Sequence, residues 1–141
     1  MPRWVEHGWN EYARRLPRQL DLGLDAIAPS RARSKAGARE EGEVLLRRCP
    51  RDSVRIALDG GGAAWTTRDL ADRLEQWMMD GRPIALLIGG ADGHVPATLS
   101  RCDAVWSLGP LTLPHMLVRV VVAEQLYRAW TLVSGHPYHR Q

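Results

Sequence analysis

Two glycine runs stand where the sequence predicts that strands end. Gly60–Gly62 follows one apolar run, and Gly89–Gly93, with the pattern Gly-Gly-x-x-Gly, follows another, Ile84–Ile88. Ligands of open α/β sheets bind at the carboxyl ends of strands, and glycine lets the backbone approach a ligand closely. Neither run is a phosphate-binding loop ending in Gly-Lys-Ser/Thr or a Gly-x-Gly-x-x-Gly dinucleotide fingerprint. Each run therefore indicates either a ligand-binding turn or glycines that only turn the chain.

Histidine and arginine recur towards the C-terminus, at His115, at Arg119 and in the tail His136-Pro137-Tyr138-His139-Arg140. A neutral histidine can act as a base near pH 7, and an arginine can hold a phosphate or a developing oxyanion. For His115, ordinary hydrogen bonding at a helix start is the alternative. Cysteines and acids at the spacing of a zinc site are missing around the tail, so the sequence predicts no metal.

The two cysteines, Cys49 and Cys102, lie far apart in the sequence, and no secretory hydrophobic segment follows Met1. This pattern favours free thiols in a reducing, cytoplasmic compartment. The sequence also contains no run of about 20 apolar residues, the length that a membrane span needs. We therefore expect no association with a membrane.

Length and charge suggest one globular domain with a basic N-terminal third. The chain has 141 residues, of which 45% are hydrophobic and 25% charged, and we expect a single domain over residues 1–141. The formal net charge is +3, and residues 1–51 hold 11 Lys and Arg against 7 Asp and Glu. The excess centres on Arg31, Arg33, Lys35 and Arg39, in a predicted loop. This segment is either a phosphate-contacting arm or a solvated loop.

Hydrophobic periodicity predicts alternating helices and strands. Helices are expected at Pro2–Leu16, at Ala38–Arg48, from Thr66 or Thr67 to Gly81, and from about Pro114 to Val133. Strands are expected at Leu20–Leu24, Val54–Leu58, Ile84–Ile88, Ala104–Leu108 and Leu111–Leu113. This order is typical of an α/β domain with a mostly parallel sheet.

The last helix carries more apolar residues than one core-facing stripe requires. Val118, Val121, Val122 and Trp130 lie within it. Apolar surface beyond the needs of the core is typical of a subunit interface, so we expect a homodimer.

Several segments together closely resemble one family. They are Leu86-Leu87-Ile88-Gly89-Gly90-Ala91-Asp92-Gly93, Trp106-Ser107-Leu108, Leu111-Thr112-Leu113-Pro114-His115, Leu117 to Trp130, and His136 to Arg140. The chain resembles the RlmH-type (YbeA-like) methyltransferases of the SPOUT class. The similarity continues upstream through Trp4, Glu11-Tyr12, Arg14-Arg15 and Leu58-Asp59, and so covers essentially the whole chain.

The resemblance implies a fold, a cofactor and a site. Members of this family have a Rossmann-like sheet with a C-terminal deep trefoil knot, here in about residues 84–141, and pair as homodimers through the knot. They use S-adenosylmethionine to methylate N3 of a pseudouridine in large-subunit (23S) ribosomal RNA, on the ribosome. The motif assigns cofactor contacts to Leu58, Gly90, Gly109, Pro110, Leu111, Thr112, Leu113 and Pro114. The resemblance also implies a further apolar strand ahead of the position of Met1, so we expect that the first strand of the family's sheet is missing from this sequence, through a misassigned start, a shortened sequence or a true variant.

The chemistry implied by the resemblance needs a base and a cationic group. N3 of a pseudouridine carries a proton, and the anion left by its removal spreads onto two carbonyl oxygens. The motif residues for the base are His115 and His139, and those for the cationic group are Arg119 and Arg140, while Tyr138 would stack on a base of the RNA. We place His139 and Arg140 near the target base and His115 near the cofactor. The alternative function is an RNA- or ribosome-binding protein of this fold with weakened catalysis.

Overall fold

The computed structural model describes residues 1–136 and Tyr138. These residues form two compact units: residues 25–64 with 82–115, and residues 1–24 with 65–81 and 116–141. The first is called the sheet unit and the second the helical unit. In the described part of the chain, no helix is both long and apolar enough to span a membrane.

The sheet unit is built on a parallel sheet. Among the described residues it has three strands, β1 (Val54–Ala64), β2 (Ile84–Ile88) and β3 (Ala104–Ser107), in the order β2-β1-β3. Leu58 of β1 stands opposite Ile88 on one side and Trp106 on the other. β2 and β3 therefore end at the edge of the sheet that Leu58 of the central strand reaches. The prediction of an α/β domain with a mostly parallel sheet is confirmed.

The central strand contains an excursion that the sequence did not predict. Trp106 of β3 pairs with both Leu58 and Ala63 of β1. The four residues between them, 59–62, form an excursion that leaves the sheet and returns to it. Gly62 lies in this excursion, where a Cβ atom would stand 2.5 Å from the carbonyl oxygen of Val105. The expectation that β1 ends before the glycines was wrong, because Gly62 lets the strand return to β3 at close range.

Two predicted strands do not form. Leu20 closes a short 3-10 helix, Arg18–Leu20, and residues 21–30 have no regular structure. Residues 111–113 also lie outside any strand, and Leu111 is 79% exposed. Apolar alternation predicts a strand only where a neighbouring strand offers hydrogen bonds, and in neither segment does the described chain provide one.

Helix α2 (Ser34–Arg48) begins four residues before its predicted start. Lys35 and Arg39 therefore lie on the helix and are exposed, which corrects their assignment to the basic loop. A short helix that the sequence analysis missed, α4 (Pro96–Leu99), packs against α2. At their contact, a Cβ atom on Gly42 would clash with the hydroxyl of the fully buried Thr98.

The helical unit contains α1 (Arg3–Ala13), α3 (Thr67–Asp80) and most of α5 (His115–Ser134). A Cβ atom on Gly8 would stand 2.9 Å from the side chain of Val120. The backbone of α1 at Gly8 therefore packs directly against the Val120 side chain of α5. Thr66 starts α3 with a capping box. Its hydroxyl accepts a hydrogen bond from the N–H of Asp69, and the Asp69 carboxylate accepts one from the N–H of Thr66. The three helices match the predicted ones closely. The knot remains a prediction.

We predict that Gly42→Ala destabilises the protein by about 1–3 kcal/mol, because Thr98 has no room to move away from an added methyl group. Urea unfolding measures the change in the free energy of unfolding. Gly23→Ala is the matched control, since a Cβ atom at Gly23 meets no atom within 4 Å. A Gly42→Ala variant as stable as the Gly23→Ala control would contradict close packing of α2 on α4.

Candidate active site

The carboxyl edge of the sheet collects the chain segments that were predicted to bind a ligand. Leu58, Ile88 and Trp106 stand side by side in register, and Leu58 and Trp106 are buried. Adjacent strands are about 4.8 Å apart. Gly90 follows Ile88 by two residues, and Gly109 follows Trp106 by three. The structure therefore brings Leu58, Gly90 and the start of segment 109–114 to the same edge of the sheet unit.

The Gly89–Gly93 segment forms a tight turn directly after β2. The N–H of Gly93 donates to the carbonyl oxygen of Gly90 at 3.1 Å, and Gly93 has a φ of +71°, a conformation that favours glycine. A Cβ atom on Gly89 would stand 2.9 Å from the Gly93 carbonyl carbon. The ring of His94 completes the turn, with Nε2 3.0 Å from the carbonyl oxygen of Leu87. These glycines are needed to close the turn, whichever ligand it holds.

Glu41 of α2 lies directly over this turn. Its Oε2 accepts a hydrogen bond from the N–H of Ser30 at 2.8 Å, and a Cβ atom on Gly90 would stand 2.7 Å from its Oε1. The turn therefore has a half-buried carboxylate beside its backbone. Sequence reasoning missed this residue, because Glu40, Glu41 and Glu43 have the composition of an ordinary exposed helix face. No local signal distinguishes the one glutamate that faces the sheet edge.

The segment after β3 is held by a side-chain bridge and leaves its backbone accessible. The N–H of Gly109 donates to Ser107 Oγ and the Ser107 hydroxyl donates to the Gly109 carbonyl oxygen, both at 3.1 Å. Gly109 has a φ of +121°. The following residues are mostly exposed: Pro110, Leu111, Thr112 and Pro114, with Leu113 half-buried. Backbone groups in this segment are available to a ligand at the edge.

The predicted catalytic residues are distributed over both units. His115 opens α5 and is half-buried at the end of the sheet unit. Arg119 belongs to the helical unit, where its guanidinium donates to Met1 Sδ at 3.2 Å. Tyr138 also belongs to the helical unit. His139 and Arg140 lie outside the described residues.

Tyr138 is held against α5 of its own chain. Its ring packs edge-on against Tyr127, with ring centroids 4.7 Å apart, and the Arg128 guanidinium lies 5.0 Å from its ring centre. Glu124 accepts a hydrogen bond from Arg128 Nε at 2.7 Å and so orients that guanidinium. Cation–π and aromatic contacts of this kind each contribute about 0.5–1.5 kcal/mol. The tail is thus tied down at least as far as Tyr138.

Burial and charge keep the groups around Tyr138 in their ordinary protonation states. Burial raises the pKa of the Tyr138 phenol, and the Glu124 carboxylate raises it further. The hydrogen bond that Arg128 donates to the Glu124 carboxylate raises the pKa of Arg128. Tyr138 is therefore a neutral phenol and Arg128 a cation at neutral pH, so the ring presents an uncharged face.

Cys49 and Cys102 are free and half-buried. Burial raises the pKa of both thiols, and the Arg55 guanidinium partly opposes the rise at Cys49. A thiol with a raised pKa is a poor nucleophile. Within residues 1–136 and Tyr138, no group of three or more His, Cys, Asp and Glu side chains has the arrangement of a metal site.

Comparison with known proteins agrees with this geometry. A family model described as a predicted SPOUT methyltransferase matches residues 1–139. A protein of Azotobacter vinelandii named "Ribosomal RNA large subunit methyltransferase H" is 50% identical over 145 residues, covering 99% of this chain and 93% of that protein. Proteins with the same name from Pseudomonas putida strain W619 and Pseudomonas aeruginosa strain LESB58 are 46% and 47% identical over the same shares. The family predicted from the motifs is confirmed, and the chain belongs to the SPOUT methyltransferases.

Proposed function

We propose that this protein transfers the methyl group of S-adenosylmethionine to N3 of a pseudouridine in large-subunit ribosomal RNA, with the assembled ribosome as its substrate. The observation that carries the proposal is the carboxyl edge of the sheet, where Leu58, the Gly89–Gly93 turn and segment 109–114 meet. The names of the relatives, which are about half identical over nearly the whole chain, favour this activity over the catalytically weakened alternative.

The edge fits S-adenosylmethionine in shape and in charge. The cofactor needs close backbone approach for its adenine, and Gly90 is a position where a Cβ atom would fill the space beside Glu41. The cofactor also carries a cationic sulfonium and an ammonium group, for which the Glu41 carboxylate is a complementary charge. The exposed residues Leu111 and Thr112 supply backbone N–H and C=O groups for adenine, because Pro110 has no N–H and both backbone groups of Gly109 already bond to Ser107. Leu58 contributes an apolar contact beside them.

The bound cofactor supplies an electrophilic methyl group, and the protein must prepare the nucleophile. N3 attacks only after its proton leaves, because the nitrogen lone pair is otherwise delocalised into the flanking carbonyls. His115 and His139 are the histidines proposed to take this proton, and Arg119 and Arg140 are the arginines proposed to stabilise the anion on the carbonyl oxygens. His115 immediately follows the proposed adenine-binding segment, which places it at the cofactor side of the site.

Tyr138 is proposed to stack on a base of the RNA. Its pKa is raised, so the phenol is neutral and its ring is suited to stacking. Tyr127 and Arg128 fix the ring in advance, which lowers the entropy that substrate binding must otherwise remove. In this proposal the tail of one subunit reaches the cofactor edge of the other subunit.

We further propose that residues 1–141 act as one domain in a cytoplasmic homodimer, with the knot in about residues 84–141. The described α5 supports a dimer in part. Val122 is buried within its own chain, whereas Val118, Val121 and Trp130 remain half-exposed. These three side chains are the apolar surface that a second copy would cover.

Gly90→Val is expected to weaken S-adenosylmethionine binding at least tenfold, about 1.4 kcal/mol, because its side chain would occupy the space of the ligand. Isothermal titration calorimetry measures the affinity. Gly60→Val is the control, since a Cβ atom at Gly60 meets nothing within 4 Å. The double variant Gly90→Val, Glu41→Ala removes the clash between the valine side chain and Glu41. If this double variant binds S-adenosylmethionine as tightly as the wild type, the valine does not exclude the cofactor directly and the prediction is wrong.

Deletion of residues 138–141 is expected to lower methyl transfer to ribosomes a hundredfold or more, about 2.7 kcal/mol, while cofactor affinity stays nearly unchanged. The reason is that the tail supplies the groups at the target base and none at the cofactor edge. Transfer of a radiolabelled methyl group measures the rate. Tyr138→Phe is a milder control that keeps the stacking ring. A deletion variant with full activity would reject a catalytic tail.

Mixed dimers of the tail deletion with Gly90→Val chains distinguish a shared site from a site within one chain. If the tail of one subunit serves the cofactor pocket of the other, a heterodimer contains one pocket with both intact parts and regains part of the activity. Heterodimers as inactive as either parent would contradict sharing between subunits.

The homodimer itself is expected to persist at micromolar concentration, because a second copy would cover the half-buried apolar side chains of Val118, Val121 and Trp130 on α5. Light scattering should give about twice the chain mass of 15.8 kDa. A particle with the mass of one chain would contradict the dimer. Val121→Lys, which places a charge on the proposed interface, should shift the protein towards monomers.

A further inference from the structure

A broad polar groove lies at the opposite edge of the sheet from the proposed cofactor site. It has a volume of about 530 Å³ and is formed by the end of α2, the loop that follows it, and the residues where β1, β2 and β3 begin. Val54 and Ile84 start their strands in register, and Leu58 and Ile88 mark the other end. Four rises of about 3.3 Å each separate the two edges by about 13 Å.

The groove is strongly basic. Five arginines and two aspartates line it, which leaves a net charge of +3: Arg47, Arg51, Arg55, Arg82 and Arg101 against Asp52 and Asp103. The arginines come from three separate parts of the sequence, and only the fold of the sheet unit brings them together. Arginine binds phosphate oxygens through two parallel N–H donors, so this lining suits phosphate groups.

Two of these arginines are available for a ligand. Arg82 donates to the carbonyl oxygen of Asp52 at 2.9 Å, and Arg101 pairs with Glu43 at 3.1 Å, so both are committed to the protein. Arg47 and Arg51 are exposed, and none of the ion pairs between described residues involves either one. Their charges are therefore uncompensated within the described protein.

Ser53 lines the groove but is itself held by the protein. The residue is buried, at 7% exposed. Its hydroxyl makes a side-chain hydrogen bond with the Cys49 thiol, which partly opposes the rise in the pKa of that thiol caused by burial. The donors that the groove offers to a ligand are therefore the exposed arginines Arg47 and Arg51.

We propose that this groove binds backbone phosphates of the large-subunit ribosomal RNA, as an anchor separate from the site of methyl transfer. The inference rests on the proposed function, which supplies an RNA long enough to reach both edges of the sheet. A groove of this volume accommodates several phosphate-sized groups, and a spacing of about 13 Å is spanned by a few nucleotides of extended backbone. Arg47 and Arg51 contact the phosphates.

The test is the double variant Arg47→Gln, Arg51→Gln, with ribosomes from a strain that lacks this methyltransferase as the probe. Filter binding should show an affinity at least tenfold weaker than that of the wild type. Two lost phosphate contacts should also lower the slope of log affinity against log salt by about 1.4–1.8. In methyl-transfer assays KM should rise while kcat at saturating ribosomes stays within a factor of two, because the groove is remote from the chemistry.

The matched control is Arg18→Gln, Arg68→Gln, which removes the same charge from two exposed arginines outside the groove. An equal loss of affinity in this control would overturn the proposal, because it would show that only total charge matters. Unchanged ribosome affinity in the groove variant would also overturn the proposal. This holds even if the groove of the wild type binds inorganic phosphate, because the RNA would then not use it. Ribosome binding without any methyl transfer by the wild type would reject the proposed function and leave the groove measurement intact.

Discussion

The register of the parallel sheet is the constraint on which the other features of this protein depend. Leu58 stands between Ile88 and Trp106, so three segments that are far apart in sequence lie side by side at one edge. Backbone hydrogen bonds between parallel strands fix this alignment, and the buried side chains of Leu58 and Trp106 hold it against slipping by one residue. A slip would move the Gly89–Gly93 turn away from segment 109–114 and separate the two halves of the cofactor edge.

Glycine makes close approach possible at several points of this arrangement. Gly62 lets the central strand return to β3, and Gly42 lets α2 settle on Thr98. The position of α2 in turn places Glu41 over Gly90, so a packing contact in the core determines a charge at the candidate site. Packing and chemistry are therefore coupled through α2, and a substitution that shifts this helix should affect both stability and cofactor affinity.

The two edges of the sheet have different physical characters. The carboxyl edge has tight glycine turns, exposed residues after β3 and the Glu41 carboxylate, which suits a small ligand that carries positive charge. The amino edge has five arginines around an open groove, which suits an extended polyanion. An enzyme that modifies one nucleotide of a very large RNA benefits from this division, because distant phosphate contacts contribute affinity without crowding the reacting atoms.

The sequence by itself determined the helices at Thr67–Asp80 and His115–Ser134, the strands Ile84–Ile88 and Ala104–Ser107, and the family, because these depend on local periodicity and on contiguous motifs. Tertiary structure decided the rest. The apolar alternation at Leu20–Leu24 formed no strand, because the described chain gives that segment no partner. The sequence did not predict the position of Glu41 or the arginine groove. Each depends on residues that are distant in sequence and that only the register of the sheet brings together.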